Sequence, residues 1–242
     1  MQASVPFPAR LRRHVRWRLS NGSQNIAALC WITAHPHAFA RHLEWLWQRA
    51  ATPMSLRVPW WPYEASAWVA EHLPPNAQVF EYGAGGSTLW LHDQGASVTA
   101  AEHHEGWHSQ LAAALPPTVT LMLRPPQPHG TLTSAVEPGY FDAYVAAIDS
   151  QPDGGLDLVI VDGRARAACV RHAAPKVRPG GLLLLDDTER PRYAPACAIL
   201  AGWERRDFRG LKPGLRSPAQ TSVWRRSSGC ATHSLGVPHL GW

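Results

Sequence analysis

The sequence predicts an α/β protein: a doubly wound, mostly parallel sheet behind an N-terminal helical extension. Three observations carry this. From Gln78 onward, short apolar runs alternate with helix-like stretches, the pattern of βαβ units. The first such run opens directly into a glycine-rich turn. And Leu156–Val161 is apolar except for Asp157, as a strand buried on both faces must be.

The elements follow in order. Asn25 to Ala34 and Ala38 to Ala50 read as helices separated by Pro36, a helix breaker. Pro59-Trp60-Trp61-Pro62-Tyr63 is a stiff aromatic turn, and Glu64 to Leu73 a helix stopped by Pro74-Pro75. Gln78 to Tyr82 is the first strand, and Ser87 to Asp93 a helix. Ser97 to Ala101 is the second strand, and Glu105 to Leu115 a helix. Val119 to Leu123 is the third strand, and a proline-rich loop leads to a helix near Tyr140 to Ile148. Leu156 to Val161 is the fourth strand, Arg164 to Ala174 a helix, Gly181 to Leu185 the fifth strand and Tyr193 to Ala201 a helix. Two weaker strands lie near Arg206 to Arg209 and Thr221 to Arg225. Three regions result: residues 1–57, a basic arm and helical extension; residues 58–226, the α/β domain; and residues 227–242, a polar flexible tail.

Composition narrows the function. The 242 residues are 45% hydrophobic, enough for one sizeable core. The net charge of +5 is local: Arg10, Arg12, Arg13, Arg16 and Arg18 are five of the 23 basic residues, and without them the body balances its 18 acids. A neutral body argues against a broad nucleic-acid footprint. The arm is either a solvated helical extension or a contact for an anionic surface. Cys30, Cys169, Cys197 and Cys230 form no C-x-x-C pair, and no apolar run is long enough to span a membrane. The expectation is a reduced, cytoplasmic protein.

In a parallel sheet, ligands sit beyond the carboxyl ends of the strands. The acids to inspect are therefore Glu81, Glu102, Asp162, Asp186 and Asp187. Gly83-x-Gly85 lets a ligand approach the backbone closely. Glycine spacing alone is a weak signal, but two details sharpen it. A dinucleotide fingerprint wants a third glycine where Thr88 stands. Glu81, two residues before Gly83, repels a pyrophosphate and favours a cationic ligand. Glu102 closes the second strand 19 residues after Gly83, where an acid accepts hydrogen bonds from ribose hydroxyls.

The run Val79-Phe80-Glu81-Tyr82-Gly83-Ala84-Gly85-Gly86-Ser87-Thr88, followed by Val98-Thr99-Ala100-Ala101-Glu102-His103, resembles a class I S-adenosylmethionine-dependent methyltransferase over about residues 59 to 190. The resemblance implies a Rossmann-like methyltransferase sheet with S-adenosylmethionine as cofactor. It implies that Glu81, Gly83 and Gly85 approach the methionine part, that Glu102 holds the ribose and that His103 lies beside the adenine. Ser87 and Thr88 serve either as helix caps or as cofactor contacts. Trp107 lies either along the adenine or in the core. Leu123-Arg124-Pro125 departs from the family, which often carries an acidic or small polar residue there.

Asp162 ends the fourth strand and Asp186-Asp187 the fifth, so three carboxylates share one rim. They repel unless a cation sits among them, and oxygen ligands suit Mg²⁺. This resembles the catechol-type and macrocin-type O-methyltransferases. The resemblance makes Asp162, Asp186 and Asp187 metal ligands, with Asp162 also beside the cofactor. The alternatives are capping, ion pairs with Arg164, Arg166 and Arg190, or Asp162 as a general base without metal. His104 and His108 are four apart on a helix, but a zinc site lacks further ligands there, and surface or capping roles fit better. Trp60, Trp61 and Tyr63 either line the acceptor pocket or pack the N-terminal helices.

The functional expectation is O-methylation of a small-molecule or saccharide-like acceptor. Two alternatives are an NAD(P)-dependent oxidoreductase on a Rossmann fold and a non-catalytic S-adenosylmethionine-binding protein.

Overall fold

In the computed structural model, the described residues are 26, 30–34, 53–213 and 218–228. The arginine-rich arm, the expected helix at 38–50 and most of the tail lie outside them, while 30–34 is helical as expected. Among the described residues no helix is long and apolar enough to cross a membrane.

The chain runs α1 (Pro53–Leu56), α2 (Tyr63–His72), β1 (Gln78–Tyr82), α3 (Gly86–Asp93), β2 (Ser97–Glu102), α4 (Glu105–Ala112) and β3 (Thr120–Leu123). It continues with α5 (Asp142–Val145), a 3-10 turn (Ala146–Ile148), β4 (Leu156–Val161), α6 (Arg166–Ala173) and β5 (Val177–Asp186). A second 3-10 turn (Pro191–Tyr193), α7 (Ala194–Ile199), β6 (Glu204–Gly210) and β7 (Ala219–Arg225) complete it. One seven-stranded sheet results, in the order β3-β2-β1-β4-β5-β7-β6. The β3, β2, β1, β4 and β5 strands are parallel, whereas β7 is antiparallel to both neighbours. The expected doubly wound, mostly parallel sheet is the one observed.

Side-chain alternation explains why the central strands are apolar throughout. On β4, Val159 and Val161 join Tyr82, Leu183 and Leu185 on one face, under Tyr144, Val170 and Ala196. Leu158 and Ile160 point the other way, with Leu182 and Leu184, under Val69 and Leu91. With period 2, both faces are buried only if both sets are hydrophobic.

The observed β5 begins at Val177, ahead of the expected Gly181. Val177 pairs with Leu156 and Leu182 with Leu158, so the register shifts between them. Pro179 has no N–H to give to a ladder, and the irregularity accommodates it. The α4 helix stops at Ala112, three residues short of the expected end, ahead of Pro116-Pro117.

Candidate functional site

The parallel ladder carries the first turn to its place. The Gly83 N–H donates to the Ala101 carbonyl (2.9 Å), and the Asp162 N–H donates to the Tyr82 carbonyl (2.9 Å). The turn therefore sits between the carboxyl ends of β2 and β4. Gly83 has φ +91°, and a Cβ there would lie 2.7 Å from the Asp162 carbonyl oxygen and 2.9 Å from Gly163 Cα. Only glycine fits this conformation and this closeness.

Glu81 has neighbours other than those expected. Its side chain is fully buried. One oxygen accepts from the Ser87 hydroxyl and the other from the Thr88 hydroxyl at 2.5 Å. The Thr88 hydroxyl also accepts the Gly85 N–H at 2.8 Å, capping α3. The carboxylate expected to face a cationic ligand thus clasps the turn to the first residues of α3. Ser87 spends its hydroxyl proton in that clasp, and Thr88 serves as the cap that the sequence allowed.

Burial pushes the Glu81 carboxyl up to about 7; the two hydroxyl bonds oppose this and the nearby Glu102 charge adds to it. The ordinary value is 4.5, so between the two values the folded chain keeps a proton that the unfolded chain releases. Stability from this group is full below pH 4.5 and falls as pH rises to about 7. Replacing Glu81 by Gln is expected to flatten that decline, by up to roughly 3 kcal/mol. Urea unfolding across this pH range checks it, and equal slopes in both proteins would contradict it.

Glu102 ends β2 with 3% of its surface exposed. Its Oε1 accepts the N–H groups of His103 (2.9 Å) and His104 (2.8 Å). Among the described residues Oε2 makes no hydrogen bond. One oxygen is therefore anchored and the other is open to a ligand hydroxyl. His103 is 7% exposed, its ring set between Glu102 (Nδ1, 2.9 Å) and Glu137 (Nε2, 3.1 Å). Arg164 donates to the same Glu137 oxygen at 2.7 Å. Burial alone would raise the Glu137 carboxyl, but the Arg164 bond and the His103 charge outweigh it and hold it below its ordinary range. This link ties the 124–140 loop over the ends of β2 and β4.

His104 caps α4, its Nδ1 accepting the Trp107 N–H at 3.1 Å. The Trp107 indole donates to the Ala84 carbonyl at 2.7 Å and lies against Gly85, so it braces the turn. Trp61 is fully buried in the core, while Trp60 is exposed.

Protein cations occupy the rim where the metal was expected. Asp162, Asp186 and Asp187 do share one rim, but the cations among them are side chains. Lys212, 2% exposed, places its Nζ 2.8 Å and 2.7 Å from the two Asp186 oxygens and 3.2 Å from Asp187 Oδ1. The Thr221 hydroxyl also donates to Asp186. Arg166 donates to Asp162 Oδ1 at 2.9 Å and lies 3.5 Å from Asp187 Oδ2. Arg190 reaches that same Asp187 oxygen at 3.1 Å. Among the described residues no group of three acidic, histidine or cysteine side chains is arranged to hold a metal ion. A lysine and two arginines already pair with the carboxylates from which Mg²⁺ was to be built, so these residues do not fit a divalent ion.

Burial opposes the charge of Lys212, but Asp186, Asp162 and Asp187 outweigh it and raise its pKa. Burial and the Asp186 charge lift the Asp162 carboxyl well above its ordinary range, against the pull of Arg166 and Lys212. Its Oδ2 has no hydrogen-bond partner among the described residues.

Sequence reading missed Lys212. It stands in a Leu-Lys-Pro stretch between the last two strands and is one of only two lysines in the chain. It also missed the non-glycine residues with positive φ at the rim, Ala165 (48°) and Asp187 (59°), conformations that concentrate at functional sites.

No family model matches the chain, and no curated protein matches it. Solved structures do resemble it. One is a 1,6-didemethyltoxoflavin-N1-methyltransferase from Burkholderia thailandensis, with bound 1,6-didemethyltoxoflavin and S-adenosylhomocysteine: 15% identity, 94% of this chain and 93% of that one, TM-score 0.48. Another is a methyltransferase-like protein from Silicibacter pomeroyi: 23% identity, 70% and 92% coverage, TM-score 0.46. A third is a predicted O-methyltransferase from Agrobacterium tumefaciens: 16% identity, 66% and 81% coverage, TM-score 0.43. At these values the resemblance is general, and function has to be read from this chain's own geometry.

Proposed function

We propose that the chain is a cytoplasmic S-adenosylmethionine-dependent methyltransferase that acts on an oxygen of a small-molecule acceptor without a divalent metal. The observation that carries this is the pairing, at adjacent strand ends, of a glycine turn clasped by Glu81 with a pre-set Glu102 carboxylate. Glu102 Oε2 is placed to accept from ribose hydroxyls. Gly83 lets the turn close on the end of β4, Gly85 lies against Trp107, and His103 stands beside Glu102.

Two observations oppose the oxidoreductase alternative. Thr88 occupies the third-glycine position, fully buried, with its hydroxyl committed to Gly85 and Glu81. A dinucleotide sheet runs 3-2-1-4-5-6, whereas here β7 enters antiparallel between β5 and β6.

When bound, S-adenosylmethionine supplies a methyl group already activated by its sulfonium. What the chain adds is alignment and proton removal. Asp162 Oδ2 takes the proton of the acceptor hydroxyl, while Arg166 holds Oδ1 and fixes the carboxylate's orientation. Lys212 and Arg166 keep Asp186 and Asp187 neutralised, so the rim carries no uncompensated repulsion. The free thiols Cys169 and Cys197 agree with a reducing compartment. The division into 1–57, 58–226 and 227–242 and an anionic contact for the arginine arm belong to this proposal as well.

Calorimetry tests it. S-adenosylhomocysteine is expected to bind and NADH is not. Replacing Glu102 by Ala is expected to weaken binding at least about 10-fold, the loss of charge-assisted hydrogen bonds. Turnover with a labelled methyl donor is expected to survive a chelator, because Lys212 and Arg166 already balance these carboxylates. Binding of NADH alone would overturn the reading, and loss of turnover on chelation would overturn its metal-free part.

A further inference from the structure

A cavity of about 300 Å³ lies next to this rim, lined in part by Gly163 and Arg166, a size that suits a small ligand. Gly163 lines it. A Cβ on Gly163 would come 3.1 Å from the Gly83 nitrogen, so the cavity is one residue removed from the glycine turn. The loop bearing Thr133 and Ser134 and the start of α6, with Arg166, line it too. Arg192 and Tyr193, from the turn after β5, also line it.

The charges here are uneven. Arg166 and Arg192 both lie on the Tyr193 ring, 4.9 Å and 5.2 Å from its centroid. Two guanidinium groups against one ring repel each other unless each is balanced. Arg166 is balanced by Asp162 and Asp187. The neighbouring Arg190 has Asp187, and Lys212 has Asp186. Among the described residues no carboxylate pairs with Arg192. No acidic side chain lines the cavity at all; its polar groups are guanidinium and hydroxyl, which are donors to an oxyanion. The planar fork of arginine matches carboxylate and phosphate alike.

We infer that this cavity binds an oxyanion, a carboxylate or a phosphate, through Arg192 and the hydroxyls of Thr133 and Ser134, and that this oxyanion is the charged end of the methyl acceptor. The second half rests on the methyl-transfer reading above; the first does not. Seated there, the anion supplies the charge that Arg192 lacks. Tyr193 holds the guanidinium in place from below, at a stacking distance where the cation–π attraction offsets part of its ordering cost. The rest of the acceptor then points along Gly163 towards Asp162.

Two probes test this on the full chain: inorganic phosphate and malonate, followed by calorimetry and thermal unfolding. Saturable binding of at least one is expected, and the tighter one identifies the class. Arg192→Ala is expected to weaken it about 10-fold or more. Arg209→Ala, on the far edge strand β6, is expected to leave it unchanged. Ala168→Leu, which fills the cavity from α6, is expected to exclude the anion with Arg192 still present. S-adenosylhomocysteine binding by Arg192→Ala should stay at the wild-type level, which separates this role from folding. Binding of neither probe, or binding indifferent to Arg192→Ala, would overturn the inference and leave the cofactor reading untouched. Phosphate binding lost in Arg192→Ala beside no S-adenosylhomocysteine binding in the wild type would uphold the anion site and remove its assignment to a methyl acceptor.

Discussion

Replacing Lys212 by Met is expected to cost roughly 3–5 kcal/mol of folding stability, the range for breaking a buried ion pair by removing one partner. The methionine has nearly the right volume, so the loss is of charge, not of packing. Asp186 is 4% exposed and Asp187 6%. Without Lys212, Asp186 keeps only Thr221 and the more distant arginine charge. One carboxylate must then take up a proton or draw in water, and either costs free energy. Guanidinium unfolding at neutral pH measures the effect. A change below about 1 kcal/mol, the value of a surface pair, would show that the lysine is not the cation that holds the rim together. The same variant offers a second readout. If Lys212 occupies the place of a divalent ion, its removal should allow Mn²⁺ to raise the melting temperature of the variant and not of the wild type.

Replacing Gly83 by Ala is expected to be at least as damaging to the site, at roughly 3 kcal/mol or more. Two costs combine. The residue sits at φ +91°, and the added Cβ meets backbone atoms of Asp162 and Gly163 at 2.7–2.9 Å. A flexible side chain gives way, but two strand ends joined by a ladder do not. Relief therefore requires β1 and β4 to part where the cofactor is proposed to bind, and S-adenosylhomocysteine binding should fall with stability. Gly95 provides the control. It also has a positive φ, +82°, but nothing lies within 4 Å of its Cβ, so Gly95→Ala should cost only about 1 kcal/mol. Equal effects at the two positions would show that conformation, not crowding, governs Gly83.

Much of the fold was legible because its signals are local. The apolar run Leu156–Val161 needs no partner to be recognised, and its boundaries are those observed. The β1 strand and the start of α3 were legible for a similar reason: a strand that runs into a turn of three glycines in four residues marks its own end. The elements that shifted, such as the early start of β5, did so where pairing with β4 extended a segment that contains a proline.

The site was legible in part. Glu81, Gly83, Glu102, Asp162, Asp186 and Asp187 stand at strand ends because alternation puts them there, and the sequence alone determined that they share one edge of one sheet. It also determined that an acid precedes the glycine turn and that no third glycine follows it. What those acids touch was decided only by the tertiary structure. Glu81 turns inward to Ser87 and Thr88 because its strand lies at the buried centre of the sheet. Asp186 and Asp187 meet Lys212 because β7 folds back between β5 and β6, bringing the connecting segment across the rim. Sequence spacing carries no trace of that, since 26 residues separate Lys212 from Asp186. Whether a cluster of carboxylates holds a metal or a lysine is an electrostatic question about which cation arrives in space, and only the folded chain answers it.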